Sequence, residues 1–290
     1  MQPTDILLKE LKAFYKKEGR NHLPWRKTKD LYKILVSEIM LQQTQVERVV
    51  PFYTNFIKQF PTSAALAKAP LSKVLKAWQG LGYNRRAKFL HEAAKMLSAG
   101  AKEFFPSSSD AQKNSFAPAL STEFLESLPG VGHYTARAIS TFAYNKPEVF
   151  IETNIRTVFF CYCYTSVLQK TATKKVSDAE LLPLIEKALT KSKMQPHDFY
   201  AALMDYGAYL KASGVKLNSR SKHYVKQSKF EGSARQLRGA ILRELLKKPA
   251  TLAQLTKNLS RSAEEVERQL HGLQLEKITR VIRGQWCIAG

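Results

Sequence analysis

Cysteine is scarce in this sequence: Cys161, Cys163 and Cys287 are the three present in 290 residues. They are too few and too scattered for a disulfide framework, and no CxxC pair occurs. The histidines (His22, His91, His133, His197, His223, His271) are equally dispersed, so no dedicated metal site is expected. Acidic residues are in deficit as well: 24 Asp and Glu stand against 46 Lys and Arg, a net charge of +22, which points to a polyanionic partner. No apolar run approaches transmembrane length, so nucleic acid is favoured over a membrane. The opening Met1-Gln2-Pro3-Thr4-Asp5 is polar and unlike a signal peptide. A cytoplasmic, nucleoid-associated monomer is the expectation. What the chain does have is 44% hydrophobic residues with 15 Phe and 12 Tyr, enough for two compact units and a smaller third.

The rest is organised around Leu128 to Ile155, LPGVGHYTARAISTFAYNKPEVFIETNI. Ser121 or Thr122 caps a short helix through Leu125, and Pro129-Gly130-Val131-Gly132 turns the chain into a second helix starting near His133. Gly130 and Gly132 permit positive φ and let a phosphate or a monovalent cation approach the bare backbone, while the amides opening the second helix, around His133 and Thr135, favour an anion. An ordinary interhelical linker has the same GxG pattern; the excess of positive charge favours phosphate. Farther on, Glu152 interrupts an apolar run (Val149, Phe150, Ile151) and precedes Thr153-Asn154-Ile155-Arg156 and an aliphatic-aromatic helix. The positive end of that helix is expected to lower the Glu152 pKa and keep it ionised, as suits a group facing a developing cation. A plain helix-terminal charge has the same signature.

Upstream, DLYKILVSEIML (30–41) turns Leu31, Ile34, Leu35 and Ile39 towards a core, leaving Glu38 beside apolar surface. Burial raises a carboxyl pKa, so Glu38 is a candidate general acid, with a solvated helix glutamate as the alternative. The amides of Gln42-Gln43-Thr44-Gln45 can pair with a base edge or fill a hole in a base stack. In Gly80-Leu81-Gly82-Tyr83 an aromatic sits at a glycine turn with Arg85, Arg86 and Lys88 behind it. That pattern suits a wedge inserted into a duplex, with phosphates held by the cations, although a half-buried surface tyrosine also fits.

Taken together, LPGVG-x-x-TA-x-AI followed by a carboxylate segment resembles the helix-hairpin-helix (HhH-GPD) DNA glycosylases, in which an aspartate after the hairpin is essential; this chain has Glu152 there. SEIMLQQTQV resembles the adenine glycosylase (MutY) branch, and WQGLGYNRRAKFL resembles the family's wedge motif. The resemblance covers about Leu23 to Leu210. It implies that Glu38 protonates adenine, Glu152 stabilises the sugar cation, Tyr83 intercalates and Gln42 fills the space left by the flipped base. Strand-cleaving relatives carry a lysine where Tyr134 stands, so base removal without strand cleavage is implied. The adenine branch usually has serine there and thymine mismatch enzymes have tyrosine.

FYAALMDYGAYL (199–210) resembles the helix before the family's iron-sulfur loop. Lys211 occupies the first cysteine position and the loop through Lys229 is basic, implying no iron-sulfur cluster and direct phosphate contacts instead. A disordered basic linker is the alternative for its second half. Residues 106–118 read as a flexible insertion. After Ser233, a helix, two capping-box helices opened by Thr251 and Ser262, and an Arg283-Gly284 hairpin describe a winged helix. The branch's Nudix-like domain has no counterpart in this sequence.

The expected fold is all-α. It comprises a six-helix barrel (24–145), a second helical domain (1–23 with 146–230) and a winged helix (231–290). The expected function is removal of adenine mispaired with guanine or 8-oxoguanine in double-stranded DNA. A thymine or uracil mismatch glycosylase and a catalytically inactive DNA-lesion binder are the alternatives. The catalytic candidates are Glu38, Glu152, Tyr134 and Asn154. The DNA-contact candidates are Gln42, Gln43, Thr44, Leu81, Tyr83, Arg85, Arg86, Gly130, Val131, Gly132, His133, Thr135 and Arg156.

Overall fold

The computed structural model describes residues 2–104, 120–164, 175–226 and 229–289. Its helices are α1 (Pro3–Glu18), α2 (Leu31–Leu41), α3 (Val46–Gln59), α4 (Ser63–Lys68), α5 (Leu71–Trp78), α6 (Arg85–Phe104), α7 (Thr122–Ser127), α8 (His133–Tyr144), α9 (Thr153–Cys163), α10 (Asp178–Ser192), α11 (Pro196–Ala212), α12 (Ala234–Leu245), α13 (Leu252–Leu259) and α14 (Ala263–Leu275), followed by β1 (Thr279–Ile282) and β2 (Gln285–Ile288). The expected insertion at 106–118 lies outside the described residues. No described helix is long and apolar enough to cross a membrane.

Two compact units result. One comprises Met1–Ile34, Pro118–Ser127 and Val131–Lys226; the other comprises Leu35–Ala117, Leu128–Gly130 and Gln227–Gly290.

In the first unit α9 lies along α11, and α1 packs on both. Proline opens α1, where its missing N–H is no loss, and Leu7, Leu8 and Leu11 form the buried stripe. Ile6, on the same helix, is exposed. Phe159, Phe160, Phe199 and Tyr200 fill the core. The carboxylate of Asp205 is buried on α11 and accepts from Arg20 N and Arg20 Nε, both at 2.9 Å, and from the Arg26 guanidinium at 3.4 Å. Such a pair holds the segment before α2 firmly, because removing one partner strands a buried charge at a cost of about 3–5 kcal/mol.

The basic segment after α11 is held by specific contacts. Asn218 Oδ1 accepts from Thr157 Oγ1 at 3.0 Å. Val176 N donates to Arg220 O at 2.9 Å, and Lys222 N donates to Val176 O at 3.0 Å.

In the second unit, α4 and α5 pack on α6, and α3 on α5, around Phe56, Phe60 and Trp78. Phe56 meets Trp78 edge-on, with ring centroids 5.9 Å apart. Its C-terminal part is the winged helix. Ser233 Oγ caps α12, Thr251 and Gln254 form a reciprocal capping box on α13, and Ser262 caps α14. The strands pair antiparallel with Thr279 opposite Ile288 and Ile282 opposite Gln285. The Arg283-Gly284 link takes positive φ at both residues, the geometry that a two-residue hairpin demands.

Candidate active site

In the first unit the extended segment before α9 is fixed by Tyr200. Its ring stacks on Phe150 at 3.8 Å, its hydroxyl donates to Glu148 O at 2.8 Å, and Phe150 N donates to that hydroxyl at 3.3 Å. This delivers Glu152 to the N-cap of α9. Its Oε1 accepts from Asn154 N at 2.8 Å and Ile155 N at 3.1 Å, and its Oε2 accepts from Asn154 Nδ2 at 3.3 Å. The side chain therefore folds back over the helix end and bonds the amides that an aspartate N-cap would bond.

The expected direction of the Glu152 pKa is overturned. Burial pushes it above the ordinary carboxylate value, outweighing the two amide bonds and the charges of Lys211 and Arg156, which pull it down. The helix end supplies the bonds, but loss of water is the larger effect.

Asn154 Oδ1 is buried with no hydrogen-bond partner among the described residues. Such an acceptor is a natural seat for a water or a ligand donor. The close approach of α11 to this helix end depends on Gly207, a residue that sequence reasoning missed. A Cβ there would lie 2.2 Å from Asn154 O and 2.6 Å from Asn154 C, both backbone atoms that cannot swing aside. The only hint was a glycine inside a helical run, which signals close packing. Tyr134 is half-buried and meets Phe150 edge-on at 5.6 Å. Arg156, expected on DNA, is held by Asp178 through two bonds of 2.6 Å.

The hairpin forms as expected, with Ser121 Oγ accepting from Phe124 N at 3.1 Å to cap α7. Gly130 has φ +79, and a Cβ there would press on Phe89 at 2.9 Å. Gly132 does not take the positive φ expected of it. It is extended at φ −99, and a Cβ would meet nothing within 4 Å, so its backbone lies open to approach. Val131 and Thr135 are buried. His133 is exposed, with Nδ1 2.6 Å from Arg137 and 3.4 Å from Glu126.

In the second unit Glu38 is 9% exposed between Ser37 and Ile39, which are buried as well. The glutamine string follows directly. Gln43 (φ 55) and Tyr83 (φ 49) both occupy the left-handed region, uncommon for any non-glycine residue and strained for a bulky one. Arg86 supports both turns. Its guanidinium donates to Ile39 O and Met40 O at 2.9 Å, Gln42 O at 2.6 Å, Thr44 Oγ1 at 3.1 Å and Gly82 O at 3.2 Å. Burial lowers its pKa to about 10, still leaving it charged at neutral pH. Arg86 is thus spent on backbone carbonyls rather than turned to phosphate, and Lys88 pairs with Glu92 at 2.6 Å.

Trp78 Nε1 also donates to Gly82 O, at 3.2 Å, and Leu81 is buried beneath the turn. Gln42 Nε2 donates to Gly130 O at 3.2 Å, tying the glutamine string to the hairpin turn. A cleft of about 380 Å³ opens here, lined by Gln42, Gln43, Tyr83, Arg85, Gly130 and Arg235 among others.

The sequence over residues 36–187 matches the model of the HhH-GPD superfamily base excision DNA repair proteins. The adenine DNA glycosylase of Mycolicibacterium smegmatis is 31% identical over an alignment of 303 residues, covering 97% of this chain and 95% of that protein. The chain belongs to the HhH-GPD superfamily, on its adenine DNA glycosylase branch. The adenine DNA glycosylase of Buchnera aphidicola subsp. Baizongia pistaciae is 33% identical over 240 residues, 79% of this chain but 61% of that protein. Among solved structures, a thermostable thymine-DNA glycosylase superposes with a TM-score of 0.55 at 26% identity, covering 71% of this chain and 86% of that one. The all-α reading and the family resemblance both hold, whereas the two compact units do not follow the expected bounds of 24–145, 1–23 with 146–230, and 231–290.

Two outcomes follow from the Glu152 environment. A carboxyl whose folded pKa is raised stabilises the fold most below its unfolded value, about 4.3, and loses that contribution as pH rises through the folded value. Glu152→Gln, permanently neutral and still able to cap α9, will therefore melt higher than wild type at pH 8, with the difference shrinking towards pH 4. A pH-independent gap in thermal melts would refute the burial argument. Gly207→Ala must displace Asn154 by a large part of an ångström, and a shift of that size at a reacting centre slows the chemistry roughly 100-fold; an unchanged single-turnover rate would show that this packing is not critical.

Proposed function

We propose that this chain is a monofunctional glycosylase that removes adenine mispaired with guanine or 8-oxoguanine, hydrolysing the N-glycosidic bond and leaving the strand uncut. The observation that carries the reading is the Glu152–Asn154 arrangement at the head of α9, a capped carboxylate beside a buried amide oxygen with no partner among the described residues. Glu38, in its apolar surroundings, donates a proton to the adenine ring and makes the base a better leaving group. As the glycosidic bond lengthens, positive charge grows on the sugar, and the preorganised Glu152 carboxylate stabilises it. Water then adds to the sugar carbon, with Asn154 as its hydrogen-bonding partner. Tyr134 has no amine with which to form a Schiff base, so the sugar is released as an abasic site.

Support for adenine comes from the branch to which the chain belongs and from Glu38 and Gln42-Gln43-Thr44-Gln45. Support for a second reading, thymine excised from mispairs with guanine, comes from Tyr134 and from the likeness to the thymine-DNA glycosylase. We further infer that no iron-sulfur cluster is used. Four thiolates would be needed, and the segment from Lys211 to Lys226 holds none; it is secured by Asn218, Val176 and Ser221 instead. Cys161 and Cys163 lie on α9, where burial raises both thiols, the opposite of what a metal ligand needs.

Single-turnover excision from an A:G duplex, read after alkaline cleavage, tests the mechanism. Glu38→Gln and Glu152→Gln will each slow excision about 10²–10⁴-fold while binding the duplex as wild type does. Glu152→Asp will stay active because it can accept the same amides. Full activity in either glutamine variant removes that residue from the chemistry.

A further inference from the structure

The cleft beside Tyr83 is closed on one side by a part of the chain that the excision mechanism does not use. Helix α12 opens the winged-helix module, with Ser233 Oγ accepting from Gln236 N at 3.3 Å and Gly232 N donating to Gln236 Oε1 at 2.7 Å. This fixes the first turn and presents Arg235 and Arg238, one helical turn apart, on one face. The Arg235 guanidinium lies 5.1 Å above the Tyr83 ring centroid and donates to the Tyr83 hydroxyl. Arg238 pairs with Glu276. All three charged side chains line the same cleft as Gln42 and Gln43.

We propose that Arg235, assisted by Arg238 and Glu276, reads the base opposite the excised one, and that this base is a guanine or its 8-oxo form. The inference rests on the glycosylase reading above. A guanine edge offers two adjacent acceptors, O6 and N7, that match the fork of one guanidinium; no other base presents that pair. An 8-oxoguanine keeps O6 and adds O8 as acceptors but carries a hydrogen on N7, so Arg235 and Arg238 would take O6 and O8 one each rather than through a single fork. The carboxylate of Glu276 can accept from the N1–H and N2–H₂ donors that guanine carries. The cleft volume, about 380 Å³, falls within the ~300–1,000 Å³ range of small-molecule sites. Tyr83, held in a strained backbone conformation, is where a wedge would leave the opposite base without its stacking partner, and Arg235 already rests on its ring and hydroxyl. The winged helix is thus a specificity-determining part of the enzyme, through two arginines on α12.

The test is the affinity of the full chain for duplexes holding a non-cleavable tetrahydrofuran abasic analogue opposite G, 8-oxoG, C or T. Such duplexes contain no base to excise. Failure of wild type to remove adenine would defeat the glycosylase reading and leave this measurement intact. Wild type is expected to bind the G and 8-oxoG duplexes more tightly than the C and T duplexes. Arg235→Lys, which keeps the charge but not the fork, is expected to shrink the preference for G about 5- to 150-fold with little change opposite C or T. Arg235→Gln should do the same at every salt concentration. No preference in wild type, an unaltered preference in Arg235→Lys, or an equal weakening on all four duplexes in Arg235→Gln would each overturn the proposal, the last by making Arg235 a phosphate anchor.

Discussion

A carboxylate held at the N-terminus of a buried helix is the constraint on which the rest depends. Partial removal of Glu152 from water raises its pKa, and two backbone amides with the Asn154 side chain return part of that loss. A group so placed carries its charge reluctantly, which is costly in the resting protein and, in the proposed mechanism, useful beside a forming sugar cation. The surrounding packing serves this compromise. Tyr200 fixes the approach of the chain, and the absence of a side chain at Gly207 lets α11 reach the helix end. The family's aspartate is replaced without loss of the cap, because the longer side chain bends back to the same amides.

A second constraint acts on the turns that face DNA in the proposed mechanism. Gln43 and Tyr83 adopt backbone conformations that cost energy, and a single buried guanidinium, Arg86, bonds to carbonyls beside both. Because Arg86 caps the C-terminal end of α2, it also fixes where the helix bearing Glu38 ends. One side chain thereby couples the acid-bearing helix to the wedge turn, within one unit.

Much of this was legible from residue types. Helix starts were marked by Ser121, Thr251 and Ser262, and the hairpin turns by Gly130 and Arg283-Gly284. What could not be read were quantities that depend on three-dimensional neighbours. The helix dipole at Glu152 was visible in one dimension, whereas its desolvation was not, and the sign of the pKa shift turned on the latter. Arg85 and Arg86 are indistinguishable in sequence. Both line the cleft, but one is exposed and lies over the Phe89 ring at 4.7 Å, while the other is buried with its guanidinium bonded to carbonyls. Gly132 looked like Gly130 and is extended, because the turn needs positive φ only once. Arg156 looked like a phosphate contact until Asp178, far along the chain, proved to be its partner.

The measurement closest to the central claim is single-turnover excision by the wild-type chain on labelled duplexes containing A:8-oxoG, A:G, T:G or U:G pairs, with alkali added after the reaction. Cleavage confined to the adenine strand of the first two is the predicted result, and it would mean that Glu152 performs the aspartate's task. Cleavage at T:G or U:G without cleavage at adenine would contradict the account.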